Sequence, residues 1–463
     1  MNILNWEYDK KLMLLIGFLF VIRLFHITNP PIEVAHNWRQ TTSLMVARNY
    51  YQLDHNILYP TIDECGNKRG VIGMEFPLIP YGAYLMSVPM GYDHWYGRLI
   101  SLIIVSFGIW FFYKLLRLYF VTEHAFYATL AFAFSAMFHL GRKVMPDPSS
   151  LSLVLGGVYF GTLYLRGGAK WTGMLYLLFA GLGALVKIPF GLYLVLLAIP
   201  FFDGKLPYLR KGIFVVLSLF ILSAVYWWYF VWNFHLMETF GQWYNAGRSI
   251  GEGFHELKEH WKGVLEKFYF SAFHSYLFCA YAVVGLIIAI IKKQKLIIWT
   301  MLLLAPLMGV YMLKSGFLFA HHGYYALPIM PLLALLVGVF LISFEKRWAT
   351  ALVMLAIIES VANQQHDFFI KDREYVKLQL TDIANQVSNS QDLFALASNE
   401  NPNEFYFLNR KGWIVPNDHV VPSELEKLKS MGCRFLVIRK ERLLETPLLE
   451  KVFENQDYLV FKM

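Results

Sequence analysis

The sequence has 463 residues, of which 57% are hydrophobic and only 16% charged. A soluble globular chain carries about 45–50% apolar and about 25% charged residues, so most of this one faces lipid rather than water. A formal charge of +8 does not by itself point to nucleic acid, because Lys and Arg in short loops orient membrane proteins; three scattered cysteines (Cys65, Cys279, Cys433) give neither a metal spacing nor a disulfide framework.

The first apolar run, from Lys11 to about Ile27, lacks a following small-residue cleavage site and reads as a retained span. Crossing the hydrocarbon takes about 20 mostly apolar residues. Such runs lie near 11–28, 98–120, 122–140, 149–166, 171–186, 189–203, 212–232, 272–291, 296–313, 325–343 and 348–362, which predicts about eleven crossings. Basic residues fall in every second connection: Lys114 and Arg117; Arg166 and Lys170; Lys205, Arg210 and Lys211; Lys292, Lys293 and Lys295; Lys346 and Arg347. That alternation predicts a cytoplasmic N-terminus. The outer connections are then 29–97, 141–148, the link at Lys187, 233–271, 314–324 and the tail after 363. Phe76–Met90 is apolar but short and contains three prolines. It reads as a helix lying at the outer interface, since a full crossing would invert every later loop. The segment 233–271, with Trp243, Tyr244 and Trp261 among Lys and Glu, reads as surface-lying helices.

From 364 onward the composition is that of a soluble domain. A helix is predicted over 374–389, a strand over 392–397, a helix over 423–430, a strand over 435–440 and a closing strand in DYLVFKM. The expected division is a membrane domain over 1–363 and a small extracytoplasmic α/β domain over 364–463. With no Gly-rich phosphate loop it is assigned no nucleotide. A structural cap and a substrate-binding module both remain open for it.

Charged groups near hydrocarbon are costly and mark function, and four clusters stand out on the outer side. Glu33, His36 and Arg39 follow the first span. Glu75 opens the interfacial helix, where it can also complement the helix dipole. Arg142, Lys143 and Asp147 share a short turn in which Pro146 and Pro148 stiffen the backbone around the acid. They form either an ion pair or an anion site with a base beside it. Lys187 stands before Pro189, and His322, Tyr324 and Tyr325 occupy HHGYYALP. Adjacent histidines do not share a helix face, so no metal site is assigned; no cofactor is required, and a divalent metal is compatible but not needed. Acids and cations gathered at one membrane face suit a sugar carried on a lipid phosphate. Lys or Arg would steady the leaving phosphate, and a carboxylate or imidazole would take the proton of the attacking hydroxyl.

The stretches HNWRQTTSLMVARNYY, EFPL, GRLISL, MPDPSSLSL, ALVKIPFGLYL and HHGYYALPIMPLLALL occur in that order, with FYFLNRKGW in the tail. Together they resemble the bacterial branch of protein-mannosyltransferase-like proteins, akin to the lipid A aminoarabinose transferases of the GT-C class. The resemblance implies a mainly α, polytopic GT-C fold in the bacterial inner membrane. It further implies a polyprenyl-phosphate sugar donor, a lipid, glycan or protein acceptor, and inverting transfer on the extracytoplasmic face. Family members keep one acid in the first outer loop and a second in the turn matching Asp147. Here His36 stands at the loop position and Arg39 matches a basic one, with Glu33 close by. Glu75 replaces a lysine of the aminoarabinose enzymes, and Lys187 matches a lysine common among relatives. The catalytic candidates are thus Asp147, His36, Glu33 and Glu75. The donor-binding candidates are Arg39, Arg142, Lys143, Lys187, His322, Tyr324 and Tyr325.

The chief rival is a transporter or flippase of a lipid-linked or anionic substrate, which predicts midplane polar residues and two repeat halves. The charges instead sit at the outer ends of spans, and no internal repeat is visible. A non-catalytic assembly subunit is the third reading.

Overall fold

The computed structural model describes residues 3–203, 206–241, 247–398 and 401–463; Lys205, Trp243 and Tyr244 lie outside the described residues. The fold is mainly α with one small sheet near the C-terminus. It divides into two compact units, Met1–Ile27 with Arg98–Phe230 and Ala246–His366, and Thr28–Gly97 with Val231–Asn245 and Asp367–Met463.

The first unit is helical because its apolar runs leave the backbone no partner but itself once water is excluded. Among the described residues, five helices are long and apolar enough to cross a membrane: Trp95–Arg117, Pro146–Leu165, Tyr208–Phe240, Lys295–Ser315 and Gly323–Leu341. A sixth is added if Trp261–Ser271 and Tyr276–Ile291, which meet at 91°, form one broken span. The remaining runs also fold as helices, but they are shortened or charged. The run 122–140 divides into Thr122–Ala133 and Met137–Leu140. Trp171–Val186 stops at Lys187, whose backbone is extended ahead of Pro189. Ile3–Arg23 is long enough but carries Glu7, Asp9, Lys10 and Lys11. Counting apolar runs therefore gives a higher number than helix length and composition do.

Asp9 accepts a hydrogen bond from the Tyr113 hydroxyl (2.7 Å) and pairs with Lys114 and Arg117 (3.4 Å each), so the first helix begins at the end where Trp95–Arg117 finishes. At its other end, fully buried arginines satisfy the exposed carbonyls of the helix terminus. Arg98 donates to Ile27 O (3.1 Å), and Arg142 donates to Phe25 O and to Arg23 O. Pro146–Leu165 and Trp171–Val186 pack closely through small residues, as lipid-embedded helices do. At Gly183 an added Cβ would lie 2.6 Å from Val154 Cγ2, so only glycine permits this approach.

The second unit is built on a five-stranded sheet: β1 (Leu393–Ala397), β2 (Gly412–Val415), β3 (Cys433–Arg439), β4 (Glu450–Glu454) and β5 (Tyr458–Lys462), in the order β2-β1-β3-β5-β4. The β2, β1 and β3 strands are parallel, and β5 runs antiparallel to β3 and β4. Central strands buried on both faces read as continuous apolar runs, as in LFALA and FLVIR. The predicted helix at 423–430 is Pro422–Ser430, while 374–389 begins as a 3₁₀ helix over Asp372–Gln379 and becomes α-helical over Leu380–Val387.

This tail does not fold apart from the first outer loop. Val34 N donates to Phe369 O (3.0 Å), and Glu33 bridges Ile370. Gly66 N donates to Gly412 O (2.6 Å), and Gly412 N donates to Asp63 O (3.0 Å). Gly412 has φ +156°, and a Cβ there would fall 1.7 Å from Phe394 O. The compact unit thus combines 28–97 with the tail, a different grouping from a boundary at 363. All three cysteines are free and buried.

Candidate active site

Asp147 lies in the first turn of Pro146–Leu165, with Pro146 at the first helical position. Proline is preorganised there, and the helix N-terminus favours a negative charge. The side chain is 5% exposed, and Oδ1 stands 3.9 Å from Lys187 Nζ. The other oxygen, Oδ2, is buried with no hydrogen-bond partner. Asp147 was expected to pair with Arg142 or Lys143 in its own turn, or to stand beside them; its ion pair is instead made with Lys187. Lys187 reaches it because its helix ends one residue earlier. The Ser150 hydroxyl holds that break, donating to Gly183 O (2.7 Å) and Lys187 O (3.2 Å).

A group of aromatic side chains stands beside the acid. The turn Gly323–Ile329 packs against Pro146–Leu165. His322 stacks on Tyr324 at 5.5 Å, and Tyr324 lies 4.8 Å from Tyr325. Tyr311 stacks on Tyr325 at 6.1 Å, donates its hydroxyl to Tyr325 O (3.2 Å), and lies within electrostatic reach of Asp147. Sequence reasoning missed Tyr311, which sits inside an apolar run with no local signal. Arg142 spends its guanidinium on the carbonyls of Arg23 and Phe25, which gives it a structural task that the sequence did not show. Lys143 is fully buried.

The remaining candidates belong to the second unit. Residues Ala35 (φ 60°) and His36 (φ 58°) are both left-handed ahead of the helix Asn37–Gln52, for which His36 is the N-cap. Non-glycine residues held this way cost about 1–3 kcal/mol each and cluster at functional loops. Arg39, one turn into that helix, forms an ion pair with Glu75. Glu75 therefore serves as an arginine partner rather than only a dipole complement for Leu78–Met90. Glu33 is fully buried, and its carboxylate accepts from Asn29 Nδ2 (3.4 Å). Arg48 has a separate partner, Asp63 (2.5 Å), in keeping with the opposed directions of Arg39 and Arg48 on one helix. Asp63 drew no attention in the sequence, because nothing local links it to Arg48. Burial, with Asp63 adding, pushes the neighbouring Glu64 carboxyl up to about 8. Among the described residues, no group of three or more His, Cys, Asp or Glu side chains is arranged to hold a metal ion.

Comparison with known proteins bears on the fold that carries these residues. The family model for dolichyl-phosphate-mannose-protein mannosyltransferase matches residues 76–255, less than half of the chain but including Asp147 and Lys187. ArnT from Cupriavidus metallidurans is similar in fold in both its apo and undecaprenyl-phosphate-bound crystal structures, with a TM-score of 0.61 and 13% identity in each. The bound form covers 98% of this chain and 98% of that one, and the apo form 96% and 97%. The archaeal oligosaccharyltransferase AglB from Archaeoglobus fulgidus, in complex with an inhibitory peptide and a dolichol-phosphate, gives a TM-score of 0.53 at 10% identity. That match covers 92% of this chain and 69% of AglB. Among curated proteins, no sequence matches the chain. At such identities the structural likeness establishes the fold, and it is the one the six sequence stretches imply.

Proposed function

We propose that this chain, a membrane protein similar in fold to ArnT and matched over 76–255 by the mannosyltransferase family model, transfers a sugar from a polyprenyl-phosphate donor to an acceptor hydroxyl on the extracytoplasmic face. The observation that carries this reading is the Asp147 carboxylate, with one oxygen against Lys187 and the other buried without a hydrogen-bond partner. A buried polar atom left unsatisfied is costly, so a held, unsatisfied carboxylate oxygen is suited to receive a proton.

In the proposed step the acceptor hydroxyl attacks the anomeric carbon, its proton passing to Asp147 Oδ2. The bond from that carbon to the phosphate oxygen breaks, and polyprenyl phosphate leaves with the electron pair. Lys187 offsets the charge that develops on the leaving phosphate. A single displacement inverts the anomeric centre. Tyr324, Tyr325 and His322 are assigned to the sugar or prenyl chain, while Arg39, which pairs with Glu75, and His36 are kept as donor-side and acceptor-side candidates on the family resemblance alone. Lys143 is retained as a donor-side cation. Arg142 and Glu33 are assigned to holding the fold, given the contacts they make. A cytoplasmic N-terminus and an extracytoplasmic tail follow from the alternating basic loops, and the bacterial inner membrane from the family resemblance.

The test incubates purified protein in lipid nanodiscs with radiolabelled polyprenyl-phosphate sugars. The expected result is release of polyprenyl phosphate that Asp147→Asn abolishes. Movement of intact donor across the bilayer without bond cleavage would establish the transporter reading instead.

A further inference from the structure

Within the first unit, a second site lies apart from Asp147: a cavity of about 770 Å³ lined by residues of 259–274 and 320–323. Ligand clefts commonly measure about 300–1,000 Å³. The cavity wall includes Lys267, which is only 3% exposed. Among the described residues, no hydrogen bond or ion pair is made to its ammonium, although Glu266 is close enough to influence it. A largely desolvated charge is expensive unless it is paired, so this lysine favours an anion inside the cavity it lines.

The backbone there is built for something other than a straight span. Residues Lys267–Ser271 form a π-helical turn, with Ala272 N donating to Lys267 O (3.2 Å). Such turns occur often at functional sites. The helices on either side meet at 91°, and His274 takes a left-handed φ of 51° at the corner. That corner is held from outside the cavity, by Asn363 Nδ2 donating to His274 O (2.9 Å) and by His139 packing edge-on at 4.9 Å. Lys267 and His274 both line the cavity.

The rest of the lining is not that of a bare anion site. Trp261 and Phe270 supply aromatic surface, while Glu266, which accepts the Ser271 hydroxyl at 3.2 Å, supplies a carboxylate for hydroxyl donors. Gly323 borders the cavity and opens the turn that carries Tyr324 and Tyr325 beside Asp147. His322, stacked on Tyr324, lies within electrostatic reach of Lys267.

We infer that this cavity is the acceptor subsite and that it binds a saccharide bearing one anionic group, a carboxylate or a phosphate, with Lys267 as the counter-ion. The assignment as acceptor rests on the glycosyl-transfer reading above; the binding itself does not.

Saturation-transfer NMR on the full-length protein in detergent, with glucose 6-phosphate, glucuronate and glucose as probes, tests it. Both charged saccharides should bind at least tenfold more tightly than glucose. Lys267→Met should remove that preference, and Lys267→Arg should keep it. In Asp147→Asn the preference for the charged saccharides over glucose should persist whatever happens to transfer, so a failed transfer mechanism and a failed saccharide site give different outcomes. Equal binding of glucose and the charged sugars, or a preference that survives Lys267→Met, overturns the inference.

Discussion

Replacing Lys187 with Met, alone and together with Asp147→Asn, separates the structural from the chemical role of this pair. Unit charges 3.9 Å apart attract by about 4 kcal/mol at an effective dielectric constant of about 20. The Lys187 side chain is 19% exposed, so water trims that figure. Contacting residues commonly couple by about 0.5–3 kcal/mol, and the pair should fall in the upper part of that range. Lys187→Met therefore leaves a buried carboxylate without its cation and lowers thermal stability. In the double variant the orphaned charge is gone, and the melting temperature should return most of the way to wild type. Activity should not return, because both the base and the cation that offsets the leaving phosphate are missing; the role at the phosphate is read from Lys187→Met alone. A loss of about 10²–10³ in turnover is expected for a missing electrostatic contact of this kind. The assay pairs thermal unfolding in detergent with single-turnover release of polyprenyl phosphate. Stability effects that simply add in the double variant would refute the coupling, and near-normal release by Lys187→Met would refute the role at the phosphate.

Three further perturbations test other parts of the account. Arg39→Lys keeps the charge but loses the planar fork that meets Glu75, so donor KM should rise about tenfold with the fold intact; an unchanged KM would remove Arg39 from the donor site. Glu359 accepts from Ser275 Oγ (2.5 Å), Tyr276 N (3.0 Å) and Leu277 N (3.1 Å), capping the helix Tyr276–Ile291. Glu359→Gln should cost about 1–3 kcal/mol, read as a lowered melting temperature, and an unchanged one would contradict the capping role. Glu64 titrates near 8 when folded, against an ordinary value of 4.5. A carboxyl raised on folding holds its proton longer than in the unfolded chain, so its contribution is fully favourable below pH 4.5 and is lost as the pH climbs through 8. Melting temperatures of wild type and Glu64→Gln should therefore diverge between pH 5 and about 8.5, the variant losing less; parallel curves would count against the burial of that group.

The sheet strands were legible where apolar residues run unbroken, as in LFALA and FLVIR, because burial on both faces leaves a continuous pattern. Strand β4 was not: EKVFE carries charges on an edge and pairs only with β5. Strand β2 was hidden in FYFLNRKGW, where Gly412 makes the close approach to β1 that its neighbours cannot signal. The geometry of the candidate site was half legible. Asp147 announced itself through flanking prolines, and Lys187 through a cation before Pro189 at the end of an apolar run. Their pairing, like those of Arg39 with Glu75 and Arg48 with Asp63, depends on long-range packing that local spacing does not encode. Lys267 was passed over because a lysine in an amphipathic segment is usually solvated, and only the fold buries it.

The most direct test is a structure of this protein with polyprenyl phosphate bound. The account predicts the phosphate within hydrogen-bond reach of Lys187 Nζ, with Asp147 Oδ2 facing the space where a sugar would sit. A phosphate bound remote from Lys187 and Asp147, with both left as they stand without ligand, would contradict it.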